Sequence, residues 1–409
     1  MNKRERAAAQ ISRNGQGIAP QAAEPRRPMP DPASTRRILV TAYRHIGDVL
    51  AAVPALRALR ETYPQARISL LAVDYVQELM AACPYLDEVI PFRDHDQKSS
   101  PWGKIERMLL LARLGLRLRG RFDMALILHA RNGFLAHVAW LTGARVRAGF
   151  LDSASPRIIT HPARPIKGIV SFREVNRRVL EAIGVTITST SMELWPRPAD
   201  EAAIQALLSE HSVAPTDLLI GLHPGSHWSC QQWSPKDWAT VAAQLVSRYG
   251  ARLVITGTKD ERELAMAISE EMPADAGSLI DLTGRTSILQ LAALMKRLNV
   301  FMCVNSGVAQ VGLAMRTPTI NLYGYENPVL NGPAVGEPMT LVRGCDDASA
   351  GVYWCPYNIW PKAVQCHRNE CIGLGGLSLI TPNMVLRQVE RQIAARRSAQ
   401  ASGAAPGSI

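Results

Sequence analysis

One pattern constrains this chain most: a short apolar run, then a small or polar turn, then a helix, repeated along both halves of the sequence. Strands that alternate with helices favour a parallel sheet covered by helices. The sequence therefore predicts an α/β fold that is doubly wound in each half. The predicted strands are 37–42, 67–73, 88–91, 122–128, 144–150, 218–222, 252–256, 279–284 with its turn, 300–304 and 319–323.

The chain is long enough for two domains, because 409 residues can form two sizeable cores. The stiff connector Trp195-Pro196-Arg197-Pro198 marks the boundary. We predict an N-terminal domain over 37–195, a second domain over 196–380, and disordered tails over 1–36 and 397–409. The first tail is basic, and it either tethers the chain electrostatically or only keeps it in solution.

The composition narrows the classes of protein. The N-terminus lacks a signal-like apolar segment, and no apolar run reaches the ~18–20 residues that span a bilayer. The net charge of +11 favours an anionic partner, such as nucleic acid, acidic lipid or a phosphorylated substrate. Nucleic acid is not expected, because the basic segments lack interleaved aromatics or a known motif. Neither a Walker lysine motif nor a G-x-G-x-x-G sequence after the first strand is present.

The stretch from Leu218 to Trp238 has the features of an anion site. Its strand ends at His223-Pro224-Gly225, and Ser234-Pro235 then supplies a helix N-cap and first position. Free backbone N–H groups and the helix dipole converge at such a turn, at the carboxyl edge of a parallel sheet. An ordinary connection between a strand and a helix explains the same residues.

In the first half, polar residues also follow two strands. Asp48 falls in the first turn of a helix, and His129 and Arg131 follow the strand at 122–128. Asp48 is either a general base or simply a carboxylate that suits the helix dipole. His129 and Arg131 lie where α/β sheets place ligand contacts.

Two further segments leave alternatives open. The helix predicted at Lys104–Arg121 combines leucines with arginines, which suits either an anionic membrane surface or a core-packed helix with a solvated face. Cys345, Cys355, Cys366 and Cys371, with His367, could bind zinc. Their spacing lacks the paired C-x2-C pattern of structural zinc sites, so we expect no metal.

The chain resembles glycosyltransferase family 9, the lipopolysaccharide heptosyltransferase family, over roughly residues 37–392. The matching segments, in the family's order, are RRILVTAYRHIGDVLAAVPALRALRETYP, FDMALILHA, LTGARVRAGF, HPGSHWSCQQW, TGTKDERELA, IDLTGRTSILQLAALM and VNSGVAQVGLAMRTPTINLYGYENP. The resemblance implies a GT-B fold of two Rossmann-like domains facing a cleft. It also implies that a helix at 381–396 packs back on the first domain.

The resemblance further implies roles for individual residues. Asp48 would be the catalytic base, and the acceptor would contact Gly47, His129 and Arg131. The residues implied for donor binding are Gly225, Ser226, His227, Gln231, Glu261, Thr283, Gly284, Thr286, Asn305, Ser306, Gly307 and Gln310. Gln231, Asn305 and Gln310 depart from the family's usual lysine, aspartate and histidine.

The activity implied is inverting, metal-independent and cofactor-free transfer of a sugar, heptose from ADP-heptose, to a lipopolysaccharide core or related glycolipid. The partners would then be a nucleotide sugar and a lipid-linked saccharide, met in the cytoplasm at the inner face of the cytoplasmic membrane. The alternative is a catalytically silent relative that binds nucleotide sugar or glycolipid as a scaffold.

Overall fold

The protein forms two parallel six-stranded sheets, which confirms the predicted α/β fold. The computed structural model describes residues 30–42, 45–93, 101–128, 133–151, 156–166, 168, 170–226, 231–273, 279–324, 328–343 and 376–401. The predicted cysteine cluster and most of both tails lie outside these residues.

The first sheet is built from residues between 37 and 162. Its strands are β1 (Arg37–Thr41), β2 (Arg67–Val73), β3 (Glu88–Phe92), β4 (Met124–Ile127), β5 (Val146–Gly149) and β6 (His161–Pro162). The accompanying helices are α1 (Ile46–Leu50), α2 (Val53–Thr62), α3 (Val76–Met80), α4 (Pro101–Leu118), α5 (Gly133–Leu141) and α6 (Phe172–Glu181). The spatial order is β3-β2-β1-β4-β5-β6.

The second sheet repeats this plan between residues 219 and 343. Its strands are β7 (Leu219–His223), β8 (Arg252–Ile255), β9 (Leu279–Asp281), β10 (Val300–Val304), β11 (Thr319–Tyr323) and β12 (Met339–Arg343). The helices are α7 (Pro198–Glu210), α8 (Pro235–Tyr249), α9 (Arg262–Glu270), α10 (Ile288–Arg297), α11 (Gly307–Ala314), α12 (Pro328–Asn331) and α13 (Pro382–Ala401). Short 3-10 turns occupy Lys259–Glu261 and Gly376–Leu379.

The two sheets have the same topology. The second has the order β12-β11-β10-β7-β8-β9, so in both sheets the first strand lies beside the fourth. The connections leave in opposite directions from that pair, and ligands of open α/β sheets bind at the carboxyl ends of strands at such a switch point. The topology therefore identifies the ends of β1 and β4, and of β7 and β10, as the places to look for a site.

Local sequence signals fix several helix ends. The Ser234 side chain accepts a hydrogen bond from the Asp237 amide, and Pro235 occupies the first helical position, as predicted. Ser171 caps α6 through the Glu174 amide in the same way. At the other end of α8, Gly250 adopts a left-handed conformation with φ of 62°, which favours glycine.

The closing helix corrects one expectation. Its buried side chains Val385, Leu386, Val389 and Ile393 belong to a core cluster made of residues from the second sheet and its helices. The helix packs on α8 and on strands β10 to β12. The prediction that it packs back on the first domain is therefore wrong; its apolar face covers the second sheet.

The structure confirms all ten predicted strands to within a few residues and adds β6, β12, α7 and α12. The predicted division of the chain at 195/196 stays a prediction. The helix predicted at Lys104–Arg121 runs from Pro101 to Leu118. Within the described residues, no helix combines the length and apolar character needed to cross a bilayer.

Candidate active site

The described site residues that were predicted follow the carboxyl ends of β1, β7, β8, β9 and β10. Gly47 and Asp48 follow β1, Gly225 and Ser226 follow β7, and Asn305 to Gly307 follow β10. Thr286 directly precedes Ser287, the N-cap of α10. Three predicted residues, His129, Arg131 and His227, lie outside the described residues.

The two domains touch through the beginnings of α1 and α11. An ideal Cβ atom built on Gly307 would lie 3.2 Å from Cβ of Ile46 and 3.7 Å from the backbone nitrogen of Gly47. A Cβ on Gly47 would lie 3.2 Å from Cγ of Gln310. Because neither glycine has a side chain, the two helices pack this closely without a steric clash. The structure thus brings the predicted acceptor and donor residues to one place.

Asp48 is held by the local geometry of α1. It is the third residue of that helix, and its Oδ2 accepts a hydrogen bond from the His45 amide at 3.4 Å. At the other end of α1, the buried Asn176 side chain on α6 donates from Nδ2 to the carbonyl oxygen of Ala51 at 2.9 Å. Val49 is completely buried, which anchors the helix in the first core. The sequence analysis did not identify Asn176 as a residue that links α6 to α1.

Glycines form part of the surface on the predicted donor side. A Cβ on Gly225 would collide with the Glu261 carboxylate, and a Cβ on Gly257 would lie 3.0 Å from Glu261 Oε2 and 3.2 Å from Cγ2 of Thr283. Glu261 Oε2 also accepts a hydrogen bond from the Thr258 amide at 2.7 Å. Gly284 has φ of +72°, and its Cβ would lie 2.6 Å from Cγ of Lys259. The glycines therefore allow the Glu261 and Lys259 side chains to pack directly on the backbone.

His223 lies beneath this surface and is neutral. Its ring is buried at the end of β7, with Nδ1 3.1 Å from Oγ1 of Thr256. Burial lowers the pKa of His223 below its ordinary value, and the Glu261 carboxylate only partly opposes this shift. With a neutral ring, the positive potential at this site comes from backbone amides, helix N-termini and Lys259, whose side chain packs on Gly284.

Two hydroxyl groups at the donor side are shielded from solvent without a hydrogen-bond partner in the described part of the chain. They are Oγ1 of Thr283, which follows β9, and Oγ of Ser306, which directly precedes α11 but makes no capping hydrogen bond. A buried hydroxyl left unpaired costs about 1–3 kcal/mol. A bound ligand with hydrogen-bonding oxygens or nitrogens would relieve that cost at both positions.

The three departures from the family pattern have different surroundings. Gln231 Oε1 accepts a hydrogen bond from Ser226 Oγ at 2.6 Å, so the amide closes the turn after β7. Gln310 is buried, and its Nε2 donates to the Asn331 carbonyl at 2.8 Å while its Cγ packs on Gly47. Asn305 is also buried, directly before Ser306. Gln310 therefore supports the contact between the domains.

A second contact between the domains was not predicted. Arg173 on α6 is paired with Glu337, which lies between α12 and β12, and their side chains are 8% and 16% exposed. Arg173 Nη2 lies 3.0 Å from Glu337 Oε2 and also donates to the Gly332 carbonyl at 3.1 Å. Pairing between residues so far apart in sequence leaves no local signal. The same helix, α6, therefore holds both α1 and the segment after α12.

Within the described segments, no group of three His, Cys, Asp or Glu side chains is placed so that it could hold a metal ion. Cys345, Cys355, Cys366 and Cys371 lie outside those segments. The absence of a metal and of a cofactor thus stays a prediction.

Comparison with solved structures agrees with this architecture. A glycosyl transferase family 9 protein from Veillonella parvula DSM 2008 superposes with a TM-score of 0.72 at 26% sequence identity, covering 88% of this chain and 97% of that one. The Escherichia coli ADP-heptose LPS heptosyltransferase II superposes with a TM-score of 0.65 at 20% identity, covering 88% and 99%. The fold is the two-domain GT-B fold.

Sequence comparison gives the family directly. Lipopolysaccharide heptosyltransferase 2 of Salmonella typhimurium is 26% identical over 313 residues, which are 73% of this chain and 85% of the relative. Lipopolysaccharide heptosyltransferase 2 of Escherichia coli K12 is 26% identical over 352 residues, or 80% and 96%. The sequence model of glycosyltransferase family 9 (heptosyltransferase) matches residues 111–349, more than half of the chain. The chain therefore belongs to glycosyltransferase family 9, and it is a glycosyltransferase.

Proposed function

We propose that this enzyme transfers heptose from ADP-heptose to a lipopolysaccharide core or related glycolipid acceptor, at the inner face of the cytoplasmic membrane. The observation that carries the proposal is the meeting of α1, which holds Asp48, with the start of α11, which holds Ser306 and Gly307. A base on one domain thereby lies near an anion-binding helix end on the other. Relatives named lipopolysaccharide heptosyltransferase support the choice of sugar and acceptor.

The donor is expected on the second domain. Its diphosphate would lie at the start of α11 and at the turn after β7, where amide groups and the helix dipole favour negative charge. Its nucleoside would lie beside Glu261, and Thr283 Oγ1 and Ser306 Oγ would gain hydrogen-bond partners. Because Gln231 is neutral, these backbone donors would carry the stabilisation of the leaving diphosphate.

The transfer step is a single displacement. The acceptor hydroxyl oxygen attacks the anomeric carbon, the bond from that carbon to the diphosphate oxygen breaks, and its electron pair leaves with the diphosphate. Asp48 takes the proton of the attacking hydroxyl. Attack opposite the leaving group inverts the anomeric configuration. No step requires a metal, because the leaving group's charge faces backbone donors and a helix N-terminus.

Asp48→Asn tests the assignment. The amide keeps the size and the local hydrogen bonding but does not accept the proton, so transfer should fall about 10²–10⁴-fold. Binding of ADP-heptose, measured by calorimetry, should remain, since the donor residues lie on the other domain. Glu61→Gln is the matched control, because Glu61 is an exposed carboxylate on the neighbouring helix α2.

The outcomes separate the two candidate functions. Transfer that persists in Asp48→Asn would remove Asp48 from the mechanism. A wild-type protein that binds ADP-heptose but transfers to no core acceptor would instead support the catalytically silent scaffold. The neutral residues Gln231, Asn305 and Gln310 are the observation that keeps this second candidate in view.

A further inference from the structure

The outward face of α4 carries an apolar stripe. We call Ile105, Met108, Leu109, Ala112 and Leu116 the α4 stripe; their spacing places them along one side of the helix. All five are exposed, and Met108 and Leu116 reach 70% and 77%. Of the eleven large hydrophobic side chains that are exposed in the described residues, four belong to this stripe. Such a concentration marks a contact surface.

The opposite face explains how α4 is held. Leu114 and Leu118 are buried, and Gly115 lets α4 approach α5 so closely that a Cβ there would lie 2.8 Å from Cδ1 of Leu141. The preceding residue on α5, Trp140, is half exposed. The helix therefore has a complete core-facing side, and its outward stripe is additional to what folding requires.

Cations border the stripe. Arg113, Arg117 and Arg119 are exposed, and within the described residues none of them has a carboxylate partner. Glu106 is the only acidic residue between Pro101 and Leu118. An apolar stripe with basic flanks is the pattern of a helix that lies in the interface of an anionic bilayer. A second copy of this chain would bring the same uncompensated arginines together around the stripe.

The position of α4 connects this surface to the active site. The helix follows β3 and precedes β4, so it runs antiparallel to the strands of the first sheet. Its N-terminal half, with Ile105, Met108 and Leu109, therefore lies toward the carboxyl edge that carries Asp48. A bilayer in contact with α4 would lie beside the mouth of the acceptor site.

We propose that the α4 stripe and its arginines dock the enzyme on an anionic lipid surface, so that a lipid-anchored acceptor reaches Asp48 without leaving the membrane. This inference rests on the proposed lipid-linked acceptor. The stripe enters the acyl boundary of the bilayer while Arg113 and Arg117 contact lipid phosphates.

Vesicle co-sedimentation of the full chain tests the proposal. The probes are vesicles of phosphatidylethanolamine with phosphatidylglycerol, and vesicles of phosphatidylcholine alone. Met108→Gln/Leu116→Gln should weaken binding to the anionic vesicles about a hundredfold, at roughly tenfold or more for each buried side chain. Arg113→Gln/Arg117→Gln should weaken binding to the anionic vesicles and reduce its dependence on salt. Both variants change exposed positions, so their unfolding temperatures should equal that of the wild type.

The control is Met266→Gln on α9, a half-exposed methionine on the second domain. It should bind vesicles as the wild type does. Equal loss in the control, or no binding of the wild type to anionic vesicles, would overturn the proposal. A stripe variant that changes a dimer into a monomer in sedimentation while vesicle binding persists would identify the stripe as a contact between copies instead.

The stripe variants also separate this inference from the proposed function. With a lipid-free acceptor fragment, transfer and ADP-heptose affinity should be unchanged in Met108→Gln/Leu116→Gln, while transfer to an acceptor embedded in anionic vesicles should fall. If the wild type transfers heptose to neither the lipid-free nor the vesicle-embedded acceptor, the proposed function is contradicted. Vesicle binding by the wild type and the stripe variants would still decide the docking proposal.

Discussion

The buried ion pair between Arg173 and Glu337 should hold the two domains together. Glu337→Gln keeps the side chain's size but removes the charge opposite Arg173. Arg173 would keep its hydrogen bonds to the carbonyl oxygens of Gly332 at 3.1 Å and Thr190 at 3.3 Å. Removing one partner of a buried pair costs about 3–5 kcal/mol. Glu337 keeps 16% of its side-chain surface exposed, so we expect the lower end, about 3 kcal/mol.

Equilibrium unfolding in urea measures this cost, with tryptophan fluorescence and circular dichroism followed together. If fluorescence and circular dichroism report different unfolding midpoints, the transition at the lower urea concentration should move to still lower urea in Glu337→Gln, because the ion pair joins the domains. The matched control is Glu201→Gln. Its partner is Lys296, and both side chains are nearly half exposed, so this ion pair should be worth under about 1 kcal/mol.

A double substitution adds a further check. Arg173→Met/Glu337→Leu removes both charges and should recover much of the loss, because no uncompensated guanidinium stays buried. The reasoning is refuted if Glu337→Gln costs no more than Glu201→Gln. It is also refuted if the double variant is less stable than Glu337→Gln.

Three further expectations concern single positions. Gly284→Ala should lower the unfolding temperature more than Gly120→Ala does. Both glycines have positive φ, which costs roughly 1–2 kcal/mol for alanine. Only at Gly284 would the added methyl group also collide with Lys259. Equal losses would contradict the proposed clash. Burial lowers the pKa of His223 in the folded protein. As the pH drops below 6.5, the unfolded chain therefore takes up a proton on this histidine before the folded protein does, and the free energy of unfolding decreases. His223→Asn should therefore make the unfolding free energy depend less steeply on pH, by at most about 1.4 kcal/mol per pH unit. An unchanged dependence on pH would count against a neutral buried ring. Burial raises the pKa of Cys83 to about 12, so iodoacetamide at mildly alkaline pH should label it only after unfolding, as peptide mass mapping would reveal. Labelling of the folded protein would disprove this.

The strands that the sequence predicts are those with continuous apolar runs. Strand β10, Val300–Val304, is fully buried and has an unmistakable run. Strand β12, Met339–Arg343, was not predicted, because it lies at the edge of the sheet and only two of its residues are buried. A half-covered edge strand has a weak pattern, since solvent tolerates polar residues on its open face.

Long-range placement could be predicted less well. The apolar positions of α13 indicate that one face is buried, but periodicity does not say which sheet covers that face. The same limit applies to Gln310, whose position in the sequence suggested donor contact. The structure adds its hydrogen bond to Asn331 and its packing on Gly47, contacts that no spacing rule contains.

The contact of Gly47 with the start of α11 has a mechanical consequence. Ile46 Cβ and Gln310 Cγ lie against the two glycines there, so a substitution of Gln310 can change the spacing of α1 and α11 as well as the chemistry of the site. A methyl group at Gly307 would lie 3.2 Å from Cβ of Ile46, so Gly307→Ala should push α1 and α11 slightly apart. A small shift at this contact would change the distance between Asp48 on α1 and Ser306 before α11, the residues proposed to act on the acceptor and the donor.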